Sequence, residues 1–90
     1  MKVRKHFLFR GRVQGVGFRI TVYQKAMQFG LTGWVKNLHD GSVEACIQGE
    51  EENIKRLVHE MQSIRYISIG DIQEENLEVL SEESSFDIRY

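Results

Sequence analysis

The sequence predicts an α+β fold in which two helices lie on one face of an antiparallel β-sheet. Three observations predict it: apolar residues alternate along several short runs, they recur at helical spacing in two longer runs, and the runs follow each other as strand, helix, strand, strand, helix, strand, with a short final strand. Ninety residues is the length of one small domain, so we expect a single domain over residues 1–90.

The first strand and helix flank a glycine-rich segment. The strand is predicted over Val3–Arg10, where Phe7 and Phe9 occupy alternate positions. From residue 18 to 29 the apolar side chains recur at helical spacing, and Gly30 is a typical helix stop. No Ser, Thr or Asp stands just before this helix to cap it, and a bound anion would fill that role.

A β-hairpin is predicted at Asp40 and Gly41, because this dipeptide separates two alternating runs, residues 31–38 and 42–48. Asn37 lies near the end of the first run, at a position whose alternation places it toward the core. An amide in such a position needs hydrogen-bond partners.

The second half of the chain predicts a helix and two strands. Glu50–Glu52 open the helix with negative charge, and an apolar stripe follows at Ile54, Leu57, Val58 and Met61. A strand is expected over residues 66–72 and its continuation over 77–80, beyond an acidic loop. The chain closes with a short strand containing Phe86, Ile88 and Tyr90. This order corresponds to a ferredoxin-like sandwich, βαββαβ, which hosts many unrelated activities.

The charge and the cysteine content exclude several classes of protein. A net charge of −1 argues against a general nucleic-acid or membrane surface. The basic residues are concentrated before residue 20 and the acids between residues 71 and 83, and we expect all these side chains except Arg19 to be simply solvated. Cys46 is the only cysteine and is expected to be an inert strand residue, and no Cys/His cluster has the spacing of a metal site.

Residues Gly11–Arg19 read G-R-V-Q-G-V-G-F-R, between the first strand and the first helix. Closely spaced glycines allow several backbone N–H groups to point into one concavity, and the helix start adds further N–H groups. Arg19 adds a planar cation that suits phosphate. The known nucleotide loops do not fit, because no Gly-Lys-Ser/Thr follows and Ile20 stands where a dinucleotide fingerprint needs glycine. The alternative is a plain turn with an exposed arginine.

A second motif, residues Gly33–Glu44, reads G-W-V-K-N-L-H-D-G-S-V-E, and the chain ends in F-x-I-x-Y. With the first motif, these segments resemble the acylphosphatase family over nearly the whole chain. The sequence departs from the family between Gln62 and Asp71, which contain no proline where the family usually has Gly-Pro followed by small residues.

The resemblance implies hydrolysis of an acyl phosphate to a carboxylate and inorganic phosphate, without a metal or cofactor. It implies that Arg19 is the main phosphate ligand and that Asn37 orients the attacking water. The backbone N–H groups that complete the phosphate site would belong to Gln14, Gly15, Val16, Gly17 and Phe18. The expected partners are a small-molecule acyl phosphate, with carbamoyl phosphate among the plausible substrates, and inorganic phosphate or a similar anion as product or inhibitor.

Several alternatives remain open on the sequence. Asn37 could instead bond to the hairpin backbone. The chain could be a non-catalytic phosphate- or carboxylate-binding module. An RNA-binding domain of this topology would need aromatic residues on the third strand, which has none, and a metal chaperone would need a pair of cysteines. No signal-peptide core or membrane-spanning run is present, so a cytoplasmic location is expected. The sequence does not show the oligomeric state, and a monomer is the default expectation.

Overall fold

A computed structural model describes all residues from 1 to 90 and contains two helices and five strands. The elements are β1 (Lys2–Arg12), α1 (Phe18–Gln28), β2 (Thr32–Asn37), β3 (Val43–Glu50), α2 (Glu51–Gln62), β4 (Ser68–Leu77) and β5 (Phe86–Arg89). The strands form one sheet in the order β4-β1-β3-β2-β5. The predicted α+β ferredoxin-like sandwich is therefore confirmed. The added strand β5 pairs with β2 in parallel, so the sheet is mixed rather than wholly antiparallel.

The core lies between the two helices and the inner face of the sheet. Alternate residues of β1 and β3 point inward, and Phe7, Phe9 and Ile47 are almost completely buried among them. The helices contribute the apolar stripes predicted from the sequence: Phe18, Val22 and Ala26 from α1, and Ile54, Leu57 and Met61 from α2. No helix of the structure is both long enough and apolar enough to cross a membrane.

The acidic residues 73–76 were predicted as a loop between two strand segments, and this prediction is wrong. Residues 71–77 continue β4 in an antiparallel ladder with β1, whereas residues 78–80 lie outside the strand. The acids are placed beside bases of β1: Lys5 donates to Glu74 at 2.6 Å, and Arg10 donates to Asp71 at 3.3 Å. The ladder and these ion pairs outweigh the low strand propensity of acidic residues.

The outer face of the sheet is partly covered by residues 78–85, which we call the covering segment. Gln48, on β3, donates to the Leu80 carbonyl and accepts from the Leu80 N–H, both at 2.8 Å. Glu83 accepts from Arg4 at 3.2 Å and from Thr32 at 2.8 Å. The expectation that the basic residues other than Arg19 are solvated is therefore wrong for Arg4 and Lys5, which are each only 8% exposed.

Cys46 lies on the same outer face, paired in the sheet with His6 on one side and Trp34 on the other. It is buried and makes no disulfide, as expected for a strand residue. Burial raises the pKa of its thiol, which disfavours the nucleophilic thiolate.

Candidate functional site

The segment between β1 and α1 forms a turn at the start of the helix. Gly15 and Gly17 have φ angles of 74° and 76°, in the left-handed region that glycine adopts without strain. Gly17 is also the N-cap residue of α1, and no side chain caps the helix. No acidic residue lies in its first turn. The N–H groups at this helix start therefore present a concentration of positive partial charge that no acid of the first turn offsets.

Arg19 lies in the first turn of α1 and makes no ion pair with a carboxylate. Its Nη1 donates to the Arg89 carbonyl at 3.2 Å, and its guanidinium carbon lies 4.8 Å from the centre of the Tyr90 ring. These contacts hold the guanidinium at the end of β5 while leaving its charge unneutralised. A cation beside the positive end of a helix is unfavourable unless an anion joins them.

Asn37 is the last residue of β2, and its neighbour in the sheet is Val43 of β3. Its side-chain Oδ1 is buried and has no hydrogen-bond partner. A buried oxygen without a partner costs about 1–3 kcal/mol, so such an atom indicates a group that a ligand or water would satisfy.

One open cleft brings these features together. It has a volume of about 210 Å³ and is lined by Val13, Gly15, Gly17, Phe18, Arg19, Ile20, Asn37, Ile88 and Tyr90. Five of the sequence-predicted site residues line it: Gly15, Gly17, Phe18, Arg19 and Asn37.

Gln14 and Val16 are the two predicted site residues that do not line the cleft. The Nε2 of Gln14 donates to the carbonyls of Leu38 and Ser42, at 2.7 and 2.8 Å, and so ties the loop to the β2–β3 hairpin. Val16 packs against the core. Any part that these two residues take in an anion site is therefore left to their backbone N–H groups.

Sequence reasoning missed four residues of the cleft, namely Val13, Ile20, Ile88 and Tyr90. The sequence predicts that Ile88 and Tyr90 belong to a strand at the end of the chain. The alternation does not indicate which other strand this last strand pairs with. The parallel pairing of Ile88 with Val35 brings this end of the chain next to Asn37. Ile20 follows Arg19 on an exposed part of α1. Its apolar side chain at an exposed position is the one feature of the sequence that could have indicated a place in the cleft.

The hairpin beside the cleft is held by its own side chains. Asp40 accepts hydrogen bonds from the N–H and the hydroxyl of Ser42, and these bonds lower the pKa of the Asp40 carboxyl. Its interactions are those of a turn residue, as expected. Among the side chains that line the cleft, only those of Arg19 and Tyr90 are ionisable, so no side chain of the cleft supplies a carboxylate or imidazole as a general base. Nowhere do three or more His, Cys, Asp or Glu side chains group so as to hold a metal ion.

Comparison with known proteins gives consistent results. The acylphosphatase family model matches residues 5–88. An acylphosphatase of Caldanaerobacter subterraneus subsp. tengcongensis is 43% identical over 98% of this chain and 99% of its own length. The crystal structure of acylphosphatase from Bacillus subtilis is 34% identical with a TM-score of 0.90, covering 98% of this chain and 99% of that one.

A larger protein contains a similar unit. Crystalline T. kodakarensis HypF matches the whole of this chain at 30% identity and a TM-score of 0.83, and the match covers 12% of the HypF chain. The fold therefore occurs both in chains of this length and within larger ones. The family model spans most of the sequence, and the relatives are similar over their full length. The chain therefore belongs to the acylphosphatase family of hydrolases.

Proposed function

We propose that the cleft hydrolyses the carboxyl–phosphate bond of acyl phosphates, with Arg19 and the backbone N–H groups of residues 14–18 holding the phosphoryl group and Asn37 orienting water. One observation carries this proposal. The unneutralised guanidinium of Arg19, the uncapped start of α1 and Asn37, whose buried amide oxygen has no partner, all belong to the lining of the same cleft.

The phosphoryl group would take the place of the missing helix cap. Its oxygens would accept hydrogen bonds from the N–H groups at the start of α1 and from the guanidinium of Arg19. The transition state of phosphoryl transfer carries its charge on these oxygens, so fixed donors and a fixed cation lower its energy. The hydrogen bond between Arg19 and the Arg89 carbonyl supports the proposal because it limits the guanidinium to few orientations before substrate binds.

The water would form a hydrogen bond with the side-chain amide of Asn37, which directs one of the lone pairs of the water at phosphorus. The bond from the water oxygen to phosphorus forms as the bond from phosphorus to the acyl oxygen breaks, and the acyl oxygen leaves as a carboxylate. The protons of the water pass to the phosphate product and to solvent. An amide does not accept a proton near neutral pH, but the leaving carboxylate needs none, so positioning is the contribution required of Asn37.

The test is hydrolysis of benzoyl phosphate by the purified protein with a chelator present. Wild type is expected to turn over without added metal, while Arg19→Gln and Asn37→Ala are expected to be strongly impaired. Matched controls are Arg65→Gln and Asn76→Ala, because both residues are exposed and neither lines the cleft. Inorganic phosphate is expected to inhibit competitively.

A folded wild type without turnover would contradict the proposal and favour the alternative, a phosphate- or carboxylate-binding module. Equal activity in Arg65→Gln and Arg19→Gln would contradict the assignment of Arg19 alone. The monomeric state, the cytoplasmic location and the single domain over residues 1–90 stay predictions of the sequence.

A further inference from the structure

We propose that the acyl group of the substrate lies on an apolar rim formed by Ile20, Ile88 and Tyr90, and that the protein therefore favours acyl phosphates with an aromatic or long aliphatic acyl group. This inference rests on the proposed function, because the rim acts only when the phosphoryl group is bound next to Arg19.

The rim is defined by its position beside the anion site. Ile20 follows Arg19 in the first turn of α1, and Ile88 enters from the inner side of β5, where it packs against the core. Tyr90 lies two residues beyond Ile88, with its ring 4.8 Å from the Arg19 guanidinium carbon. A substrate whose phosphoryl group meets Arg19 therefore extends its acyl group toward these three side chains, because all of them line the same cleft.

The rim exposes apolar surface that the core does not use. Ile20 is 47% exposed and Tyr90 is 92% exposed, although both lie beside the charged and polar groups of the cleft. Isolated exposed apolar residues are ordinary on a protein surface. Here, however, an isoleucine and an aromatic ring lie next to an anion site with unsatisfied polar groups. This combination of an apolar wall and a few polar groups is typical of a ligand-binding site.

The rim also has few groups to which a polar acyl moiety could bond. The side chains of Ile20 and Ile88, and of Val13 and Phe18 beside them, carry no hydrogen-bonding atoms, and the Tyr90 hydroxyl is the one polar side-chain atom of the rim. The two strongly polar side chains of the cleft, Arg19 and Asn37, are assigned to the phosphoryl group and the water. A carbamoyl or carboxylate-bearing acyl group would thus find only the Tyr90 hydroxyl as a partner on the rim, whereas an apolar group would remove both its own surface and the rim surface from water.

The experiment compares kcat/KM for benzoyl phosphate and acetyl phosphate in wild type, Ile20→Ala, Ile20→Leu and Met27→Ala. Met27 is the matched control, because it is a large apolar residue of α1 that is 58% exposed and does not line the cleft. We expect Ile20→Ala to lower kcat/KM for benzoyl phosphate about three- to tenfold, mainly through KM, and to change the value for acetyl phosphate by less than about twofold. Ile20→Leu and Met27→Ala should keep the wild-type ratio.

Inorganic phosphate provides a second readout, because it has no acyl group. Its inhibition constant should be the same in wild type and Ile20→Ala, which shows that the phosphoryl site is intact. An unchanged benzoyl-to-acetyl ratio in Ile20→Ala, an equal loss on both substrates, or a lower KM for acetyl phosphate in wild type would overturn the acyl rim while leaving the proposed function in place. Absence of hydrolysis of both substrates by wild type would overturn the two proposals together.

Discussion

The cleft and the face under the covering segment differ in how their side-chain amides are hydrogen-bonded, although the Nε of Arg4 under the segment is also buried without a partner. Under the covering segment, both side-chain amide atoms of Gln48 bond to the backbone of Leu80, and Glu83 pairs with Arg4 and Thr32. In the cleft, the Oδ1 of Asn37 has no partner and Arg19 has no counterion. Both regions lie at the sheet, and each contains a side-chain amide: Gln48 is buried, whereas Asn37 is half-buried with a buried oxygen.

Whether a side-chain amide has partners within the protein distinguishes a polar group that stabilises the fold from one that is free to bind a ligand. An amide whose hydrogen bonds are all made within the protein contributes to stability, and its removal leaves its partners unsatisfied. An amide without partners costs stability and is tolerated where function requires it. Two amides of one sheet, the buried Gln48 and the half-buried Asn37, therefore give opposite expectations, and each can be tested by truncation.

The largest effect is expected for Arg19→Ala. The substitution removes the only cationic side chain that lines the cleft, so kcat for benzoyl phosphate should fall by at least about 10²–10³-fold. The variant should remain folded, because Arg19 takes part in no ion pair and lies outside the core. Steady-state kinetics beside the circular dichroism spectrum checks both expectations. A kcat within about tenfold of wild type would exclude Arg19 as the main phosphate ligand.

Asn37→Ala is expected to lower kcat by roughly 10²-fold, since an orienting group for water is lost. The free energy of unfolding should stay the same or rise, because the substitution removes a buried oxygen that has no partner. Urea unfolding and turnover measured on the same sample give the two values. If the variant were less stable by 1 kcal/mol or more, on the order of one hydrogen bond, Asn37 would be a structural residue like Gln48.

Gln48→Ala is expected to give the converse result, with activity retained and stability reduced by about 2 kcal/mol. The substitution removes both hydrogen bonds that hold Leu80 over the sheet. Urea unfolding measures the loss, and Gln73→Ala, an exposed glutamine of β4, is the control. Hydrogen exchange should locate the opening at residues 78–85. A loss of stability below that of the Gln73→Ala control would mean that the covering segment is not held by this amide.

The same two regions show what the sequence could predict. Asn37 and the 13–17 loop were identified from local patterns, since the alternation of β2 and the glycines before α1 are readable within a few residues. The covering segment and the acidic half of β4 were not predicted, because their partners lie far away along the chain. Lys5 and Glu74 are 69 residues apart, and Arg4 and Glu83 are 79 apart.

The parallel strand β5 has the same limitation. The alternation of its residues predicted a strand. Ile88 lies at the cleft, however, because β5 pairs with β2, and a pairing between segments so far apart along the chain cannot be inferred from a local pattern. The residues proposed to face the acyl group could therefore not be identified from the sequence, whereas those expected to face the phosphoryl group could be. The roles of both sets stay predictions until activity is measured.

The smallest effect is expected at the contact between α1 and α2, which belongs to neither of these two regions. Glu60 of α2 accepts from Lys25 of α1 at 2.8 Å and from Arg56 at 3.0 Å, and these hydrogen bonds lower the pKa of its carboxyl below the usual 4.5. Because the folded-state pKa is depressed, the contribution of Glu60 is fully present above about pH 4.5 and is lost as the pH falls through the folded-state value. Glu60→Gln should therefore be slightly less stable than wild type at pH 7, and the difference should be smaller at pH 3. Urea unfolding at both pH values measures it, and added salt should shrink the difference at pH 7. If the difference in unfolding free energy between Glu60→Gln and wild type were as large at pH 3 as at pH 7, the glutamate would act through packing rather than charge. This surface contact would then resemble the hydrogen-bonded face under the covering segment.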